Sequence, residues 1–576
     1  MHEITPSSQR GHAKVALACW LAVAFAGCGG NVRPFPMRPP LWQDPDQQVF
    51  SPRPEEYFSP FGWDAADHTV FRPISRFLAV EAKQEAINVN ALDEVPDSSW
   101  FHNRIGQRPM TEAEVERGAC EAPLLRPEGA WTVKGAKPNG ANPGFMIKAA
   151  DGRRYLLKFD GTLQGERATA ADVLGSRLYH AIGYFAPCNS VVFFSRDILK
   201  IDPEATSEND KGESIPLTWE DVDQVLSKSF VLPDGRYRAS ASLFLPGRPI
   251  GPWTYQDTRD DDPNDVIPHQ HRRELRGGYV LAAWLNHFDT REQNTLAIWI
   301  EAEGGRGHVR HYYLDFGDCL GSLWDQEGIS RRLGHAYYLD IPYFVQDTLT
   351  LGLREHPWQR ARYGPAGPTL GYFHAFDFEP DAWKPGYPNP AFIRASERDK
   401  AWMARILAEI DESRLLAALQ PAEIQESITH DEIVRILLAR RQRLLNRYLG
   451  RLSPLFRPRV VSANAGRSRV CLRDAAVVSG VAAGTRRRDT VRTYTGRGPS
   501  LFETVVATRR GSEVCFPLGS RDPDARFPRY FVVDVDTDDP GYPELGPLRL
   551  HVYERAHGQL LVAGLERPES HGAPRW

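Results

Sequence analysis

Five polar positions in the middle of this 576-residue chain occur in an order that phosphoryl-transfer chemistry explains. Lys158 ends a strand-like run (YLLKFD), where its ammonium group can reach the α- and β-phosphates of a nucleotide. Glu166, early in the helical pattern that follows, or Asp172 further along it, can pair with Lys158 and hold it in place. Asp289 and Asn294 stand in NHFDTREQNTL, and Asp315 stands in YYLDFGD. Transfer of a γ-phosphoryl group needs a carboxylate to orient the attacking hydroxyl and oxygen ligands for a cation bridging the phosphates. Asp289 suits the first task. Asn294 and Asp315 suit the second, because an amide carbonyl and a carboxylate are hard oxygen donors. The cofactors this implies are ATP or another nucleotide, with Mg or Mn.

The surrounding pattern supplies elements to carry these groups. FMIKA and RRYLLKF flank Asp151-Gly152, a hairpin signal, so Lys158 falls at the end of the second strand. GERATAADVLGSRLYHAIG then takes helical spacing, with Ala171, Leu174, Leu178 and Ala181 on one face and Gly183 as its stop. QHRRELRGGYVLAAWLNHF predicts a second long helix leading into the Asp289 loop, with Leu275, Tyr279, Ala282 and Ala283 facing the core. NTLAIWIEAEGGRGHVRHYYLDFGD predicts a hairpin that ends at Asp315. Residues 330–455 read as mainly helical, most clearly in KAWMARILAEIDESRLLAAL and HDEIVRILLARRQRLLNRYLGRL. From Arg457 on, short alternating runs separated by turn residues predict an all-β, sandwich-like domain. The expected class is therefore α+β. Its divisions are a tether and N-terminal extension over 28–125, a core over 126–455 and the β domain over 456–576. His269 and His271, beside two arginines and without a carboxylate at ligand spacing, read as surface residues of a helix start.

At the N-terminus, Arg10, His12 and Lys14 precede the apolar run Val15–Ala26, too short to span a membrane and typical of an export signal over residues 1–27. Phe25-Ala26-Gly27-Cys28 resembles the bacterial lipobox, which implies lipid attachment at Cys28 and a place in the bacterial cell envelope, anchored to the membrane. A net charge of −4 and a pI near 6.5 argue against a general nucleic-acid binder. No CxxC or Cys/His zinc spacing occurs, and Cys471 and Cys515 lie in strand-like runs where an oxidising compartment would let them pair.

The spacing H-x-D-x-x-x-x-N from His287 to Asn294, followed by Asp315-Phe316-Gly317, resembles the catalytic loop and metal-binding DFG of protein kinases. It is most similar to the atypical branch: HipA-like kinases, phosphatidylinositol kinases and secreted kinases of the CotH type. Phe288 stands where most protein kinases carry an arginine, and no APE segment follows. Lys134–Phe145 (KGAKPNGANPGF) stands in place of the Gly-rich loop. The stretch from Gly235 through Ser322 also resembles a family of bacterial exported lipoproteins.

The resemblance implies a bilobal protein-kinase-like core, with an N-lobe over about 126–250 and a C-lobe over about 251–455. Lys158 and Glu166 would bind the nucleotide, Asp289 would act on the acceptor hydroxyl, and Asn294 with Asp315 would hold the metal. The acceptor would be a protein, lipid or glycan hydroxyl. A competing expectation is a catalytically inactive, pseudokinase-like surface lipoprotein serving as a scaffold, since the Gly-rich loop and the loop arginine are missing. A third, an adhesion role for the β domain, has less behind it, with few aromatics there beyond Tyr494, Tyr530, Tyr542 and Tyr553.

Overall fold

A computed structural model describes residues 34–571 apart from 59–65, 68–70, 73–83, 138–143, 209–213, 325, 463–466, 496–499, 520–525 and 570. Cys28, the export signal, most of the helical pattern at 75–86 and the middle of the Lys134–Phe145 segment lie outside the described residues. Helices and sheets are mixed along the chain.

The first sheet is built from β1 (Trp131–Lys137), β2 (Gly144–Lys148), β3 (Arg154–Phe159), β4 (Asn189–Phe194), β5 (Leu199–Glu208), β6 (Ser214–Pro216) and β7 (Tyr237–Leu243). Its strand order is β4-β7-β3-β2-β1-β5-β6. The β2–β3 turn is the expected Asp-Gly one: Gly152 takes φ 83° and its N–H donates to the Ala149 carbonyl at 3.0 Å. β3 alternates strictly. Tyr155, Leu157 and Phe159 enter a core shared with Trp131, Phe145 and the helix Trp219–Ser227, so Lys158 points from the opposite face. That face is covered by α1 (Arg167–Ile182), which packs on β3, β4 and β7.

A second sheet, order β10-β9-β8, contains β8 (Arg248–Gly251), β9 (Thr295–Glu301) and β10 (Gly307–Tyr313). Between β8 and β9 runs α2 (Arg273–Leu285), in which all positions are buried and not only the four expected to face the core. Two further helices, α3 (Glu397–Leu407) and α4 (Ser427–Tyr448), pack against it, which leaves it no solvent face. The helical stretch from Lys400 is divided in two, because the Asp411 side chain accepts from the Arg414 N–H at 3.0 Å and caps a new helix, Glu412–Leu419. His269 is buried as well, bonded to Asp265 at 2.7 Å; its carboxylate partner lies four residues upstream, toward the turn and not along the helix.

From Leu455 on, a four-stranded and a five-stranded antiparallel sheet share one core that includes Val470, Phe516, Val491, Phe531 and Leu550. Cys471 and Cys515 face each other on neighbouring strands, Arg469–Asp474 and Glu513–Pro517, and form a disulfide. A second disulfide joins Cys120 to Cys188. The Pro-rich segment after residue 34 is not a loose tether throughout. The Phe35 ring packs at a tilt against His551 with ring centroids 4.6 Å apart, and its carbonyl accepts from the Tyr553 hydroxyl at 2.7 Å.

Candidate functional site

The β9–β10 hairpin explains how Asn294 and Asp315 meet. Its register pairs Thr295 with Tyr313, so the residues just outside the two strand ends are brought together, and the Leu314 N–H donates to the Asn294 carbonyl at 2.9 Å. Asp315 then takes φ 53°, a left-handed conformation that Asp tolerates better than most side chains, and the chain turns sharply into Phe316.

Lys158 reaches this turn from the first sheet. Its Nζ donates to Asp315 Oδ1 at 2.8 Å and lies 3.7 Å from Asp172 Oδ1 on α1. Burial opposes the lysine charge, but Asp172 and Asp315 outweigh it and raise its pKa above the ordinary value. Asp172 is fully buried, and its Oδ1 also accepts from the Phe316 N–H at 3.2 Å. Burial, chiefly, raises the Asp172 pKa, with Lys158 pulling it down and Asp315 pushing it up.

Asp289 lies on the other side of the hairpin. Asn286 caps α2 in a left-handed conformation (φ 52°), which lets the chain leave the helix into His287 and Phe288. The Asn294 side-chain amide donates to both the carbonyl and Oδ2 of Asp289, each at 2.8 Å, while Arg291 Nε stands 3.3 Å from Oδ1. Burial and the nearby Asp318 push the Asp289 carboxyl up to about 7, against the opposing pull of Arg291 and Asn294. Asp318 is itself raised by burial and by Asp315, with Arg167 opposing.

The turn at Asp315 is clamped from behind. Arg167, at the start of α1, donates through Nη1 to the carbonyls of Gly317 (2.6 Å) and Cys319 (2.8 Å). The Phe316 ring packs against Tyr179 (4.7 Å) and His287 (5.7 Å), and Tyr179 Oη bonds His287 Nδ1 at 2.8 Å. His287 is buried and its pKa is lowered to about 4, so it is a neutral brace for the loop and unsuited to be a base at neutral pH. Gly175 lets α1 come this close, since a Cβ there would sit 2.4 Å from Phe316 Cβ.

The structure thus brings Lys158, Asp315, Asn294 and Asp289 together and leaves Glu166 out. Glu166 sits at the left-handed residue before α1 (φ 67°) and turns away from the strand. Its carboxylate accepts from the N–H groups of Gln425 (3.1 Å) and Glu426 (3.3 Å), just ahead of α4, with Arg238 Nη1 at 3.8 Å. It complements the positive end of a helix. Of the two carboxylates the sequence offers for the place beside Lys158, Asp172, more than a turn into α1, takes it and Glu166 does not. Asp318 and Arg167 went unassigned in the sequence. The signal for Asp318 was present in the doubled acid of Asp315-Phe316-Gly317-Asp318, and nothing local marked Arg167.

The donor set fits a small hard cation. Asp289, Asp315 and Asp318 supply carboxylate oxygens, and burial together with their mutual negative charge raises the pKa values of Asp289 and Asp318. Among the described residues no three carboxylate, histidine or cysteine ligand atoms of this site lie within 4.8 Å of one another. Mg²⁺ takes one or two carboxylates and draws further ligands from phosphate and water, so the carboxylates present here would suffice for it. The cluster of Cys471, Glu513 and Cys515 meets that distance, but its sulfurs are joined in the disulfide.

No family model matches the chain, and no curated protein matches it. Among solved structures it is similar to the Golgi casein kinase with Mn/ADP bound, at 11% identity and a TM-score of 0.22, over 50% of this chain and 74% of that one. A second structure of the Golgi casein kinase matches at 11% identity and a TM-score of 0.20, over 52% of this chain and 75% of its own.

Proposed function

We propose that this chain is an exported, lipid-anchored protein with a bilobal kinase-like core that binds ATP, or another nucleotide, with Mg²⁺ or Mn²⁺ and transfers a phosphoryl group to a hydroxyl acceptor. The observation that carries this reading is the position of Lys158 between Asp172 and Asp315, beside the hydrogen-bonded pair Asp289–Asn294. In it, Asp172 holds the Lys158 ammonium toward the phosphates, and Asp315 with the Asn294 side-chain oxygen would hold the cation. The cation, when bound, supplies charge neutralisation across the phosphates. Asp289, with a pKa near neutrality, accepts the acceptor's proton or orients its hydroxyl. The core occupies residues 126–455, and 456–576 form a separate sandwich-like domain.

The test is thermal stabilisation by ATP with Mg²⁺ or Mn²⁺, in wild type and in Asp315→Ala, followed by transfer from labelled ATP. A metal-dependent rise in the wild type that the variant loses is the expected result. No metal-dependent rise in the wild type would sink the nucleotide-site reading. One observation favours the competing scaffold reading: Arg291 is close enough to Asp289 to weaken it as a base. A nucleotide-dependent shift without any transfer to protein, lipid or glycan acceptors would select that reading.

A further inference from the structure

The loop that carries Asp289 and Asn294 is gripped from outside residues 126–455. Glu292 lies between those two positions, and its side chain is 5% exposed. Its Oε1 accepts from the Tyr255 N–H at 2.9 Å, and its carbonyl accepts from the Thr295 hydroxyl at 2.6 Å. These bonds tie the loop to the chain leaving β8 and to the start of β9. The same carboxylate is met by an arginine 220 residues earlier in the chain. Arg72 Nη1 donates to Glu292 Oε1 at 2.6 Å, and Nη2 donates to Oε2 at 3.0 Å. A two-pronged bond of this kind fixes the plane of the carboxylate as well as its distance. Arg72 Nε donates in turn to Asp67 Oδ2 at 2.6 Å, which orients the guanidinium itself.

The chain ahead of residue 126 is fastened to the same elements on both sides of Arg72. Before it, Phe50 and Gly307 of β10 exchange backbone bonds at 2.8 and 3.1 Å, and the Tyr57 N–H donates to the Ile250 carbonyl of β8 at 3.1 Å. Gly251 permits that approach, since a Cβ there would collide with the Tyr57 carbonyl oxygen. After it, the Ile87 N–H donates to the His271 carbonyl at 3.1 Å, and the Gln84 carbonyl accepts from Arg276 Nη1 of α2 at 2.8 Å. Helix α2 leads into the Asp289–Asn294 loop, and the sheet of β8, β9 and β10 receives the chain that leaves it.

The pairing matters to the loop because of where Glu292 stands. Removing one partner of a buried ion pair leaves an uncompensated charge, whereas neutralising both partners costs far less. Without Arg72, the Glu292 carboxylate would draw water into the loop or leave its place. Asn294 is two residues away and bonds Asp289 through its side chain, so both would be displaced with it.

We infer that Arg72 is a positioning residue for the Asp289–Asn294 loop, and that the candidate site is complete only with this residue from the N-terminal extension. The inference rests on the phosphoryl-transfer reading above for what the loop does, and not for how the loop is held.

The test compares full chains of wild type, Arg72→Ala, Arg72→Lys and Arg72→Ala/Glu292→Gln. Arg306→Ala serves as a control that loosens the extension elsewhere, at its bond to the Val49 carbonyl. Two readouts are taken well below the unfolding temperature: hydrogen exchange over residues 287–295 without ligand, and the dissociation constant of ATP with Mn²⁺. Arg72→Ala should speed that exchange and weaken that binding, each by about tenfold or more. Arg72→Lys should fall between it and wild type, because one ammonium cannot make both bonds. The double variant should recover most of both readouts, and Arg306→Ala should move neither. Exchange in Arg72→Ala equal to wild type would overturn the inference, and so would a double variant no better than the single one. Should Arg72→Ala fail to fold, a folded double variant with the exchange of wild type supports the pairing, and failure of both overturns it. Exchange needs no nucleotide, so it decides the inference even where wild type binds none, a result that would count against the phosphoryl-transfer reading alone.

Discussion

Asp289→Asn is expected to make the protein more stable above neutral pH while removing its proposed role. A folded-state carboxyl at about 7, against an ordinary 3.8, corresponds to roughly 4 kcal/mol at 1.36 kcal/mol per pH unit. The sign follows from proton binding. Because the folded value lies above the unfolded one, the folded protein holds the proton more tightly, so stability falls as pH rises from about 4 to about 7. Above that range the full cost of a buried charge beside Asp318 and Asp315 is present. Asparagine removes the charge and still offers an oxygen to the Asn294 amide, which keeps its second bond to the position-289 carbonyl. The value of about 7 already includes the attraction to Arg291, so losing that attraction takes nothing further from the gain. The net expectation is about 2–4 kcal/mol of stabilisation at pH 8 and about 1 kcal/mol or less at pH 4.5. Paired thermal and urea midpoints, measured with chelator present, would show it. A variant destabilised to the same degree at both pH values would refute the claim that this carboxylate is held against its neighbours' charge. With nucleotide and Mg²⁺ added, wild type should regain more stability than the variant, since the cation meets charge that asparagine no longer carries.

Three further changes separate the roles assigned here. Glu166→Gln should lower stability by about 1 kcal/mol through the weakened helix cap and leave the nucleotide-dependent thermal shift unchanged, whereas Asp172→Asn should abolish that shift; the opposite pattern would restore Glu166 as the partner of Lys158. Gly175→Ala forces a methyl against Phe316 and should cost about 1–3 kcal/mol while reducing metal-dependent stabilisation, because Asp315 moves with Phe316. Replacing both Cys471 and Cys515 by Ser should lower the unfolding midpoint of the C-terminal sheets by an equivalent of about 2–4 kcal/mol, and leave the midpoint shift given by nucleotide intact.

Local spacing was enough to place some of these groups. The Asp-Gly turn and the alternation of β3 put Lys158 on the face opposite Leu157 and Phe159, because side chains in a strand must alternate. The apolar runs around the Gly-rich turn fixed the β9–β10 hairpin, and antiparallel pairing then required its two ends, Asn294 and Asp315, to meet. The partner of Lys158 depended on more. Glu166 and Asp172 both belong to the segment after β3, and helical spacing says which residues share a face without saying which face the sheet covers. That was decided by the docking of α1 on β3, β4 and β7, with Glu166 drawn toward the N–H groups ahead of α4, hundreds of residues away in the chain. The same holds for the shared proton affinity of Asp289 and Asp318. One lies after a helix and the other after a hairpin, and their repulsion exists only because the fold buries them side by side, where little water remains to screen it.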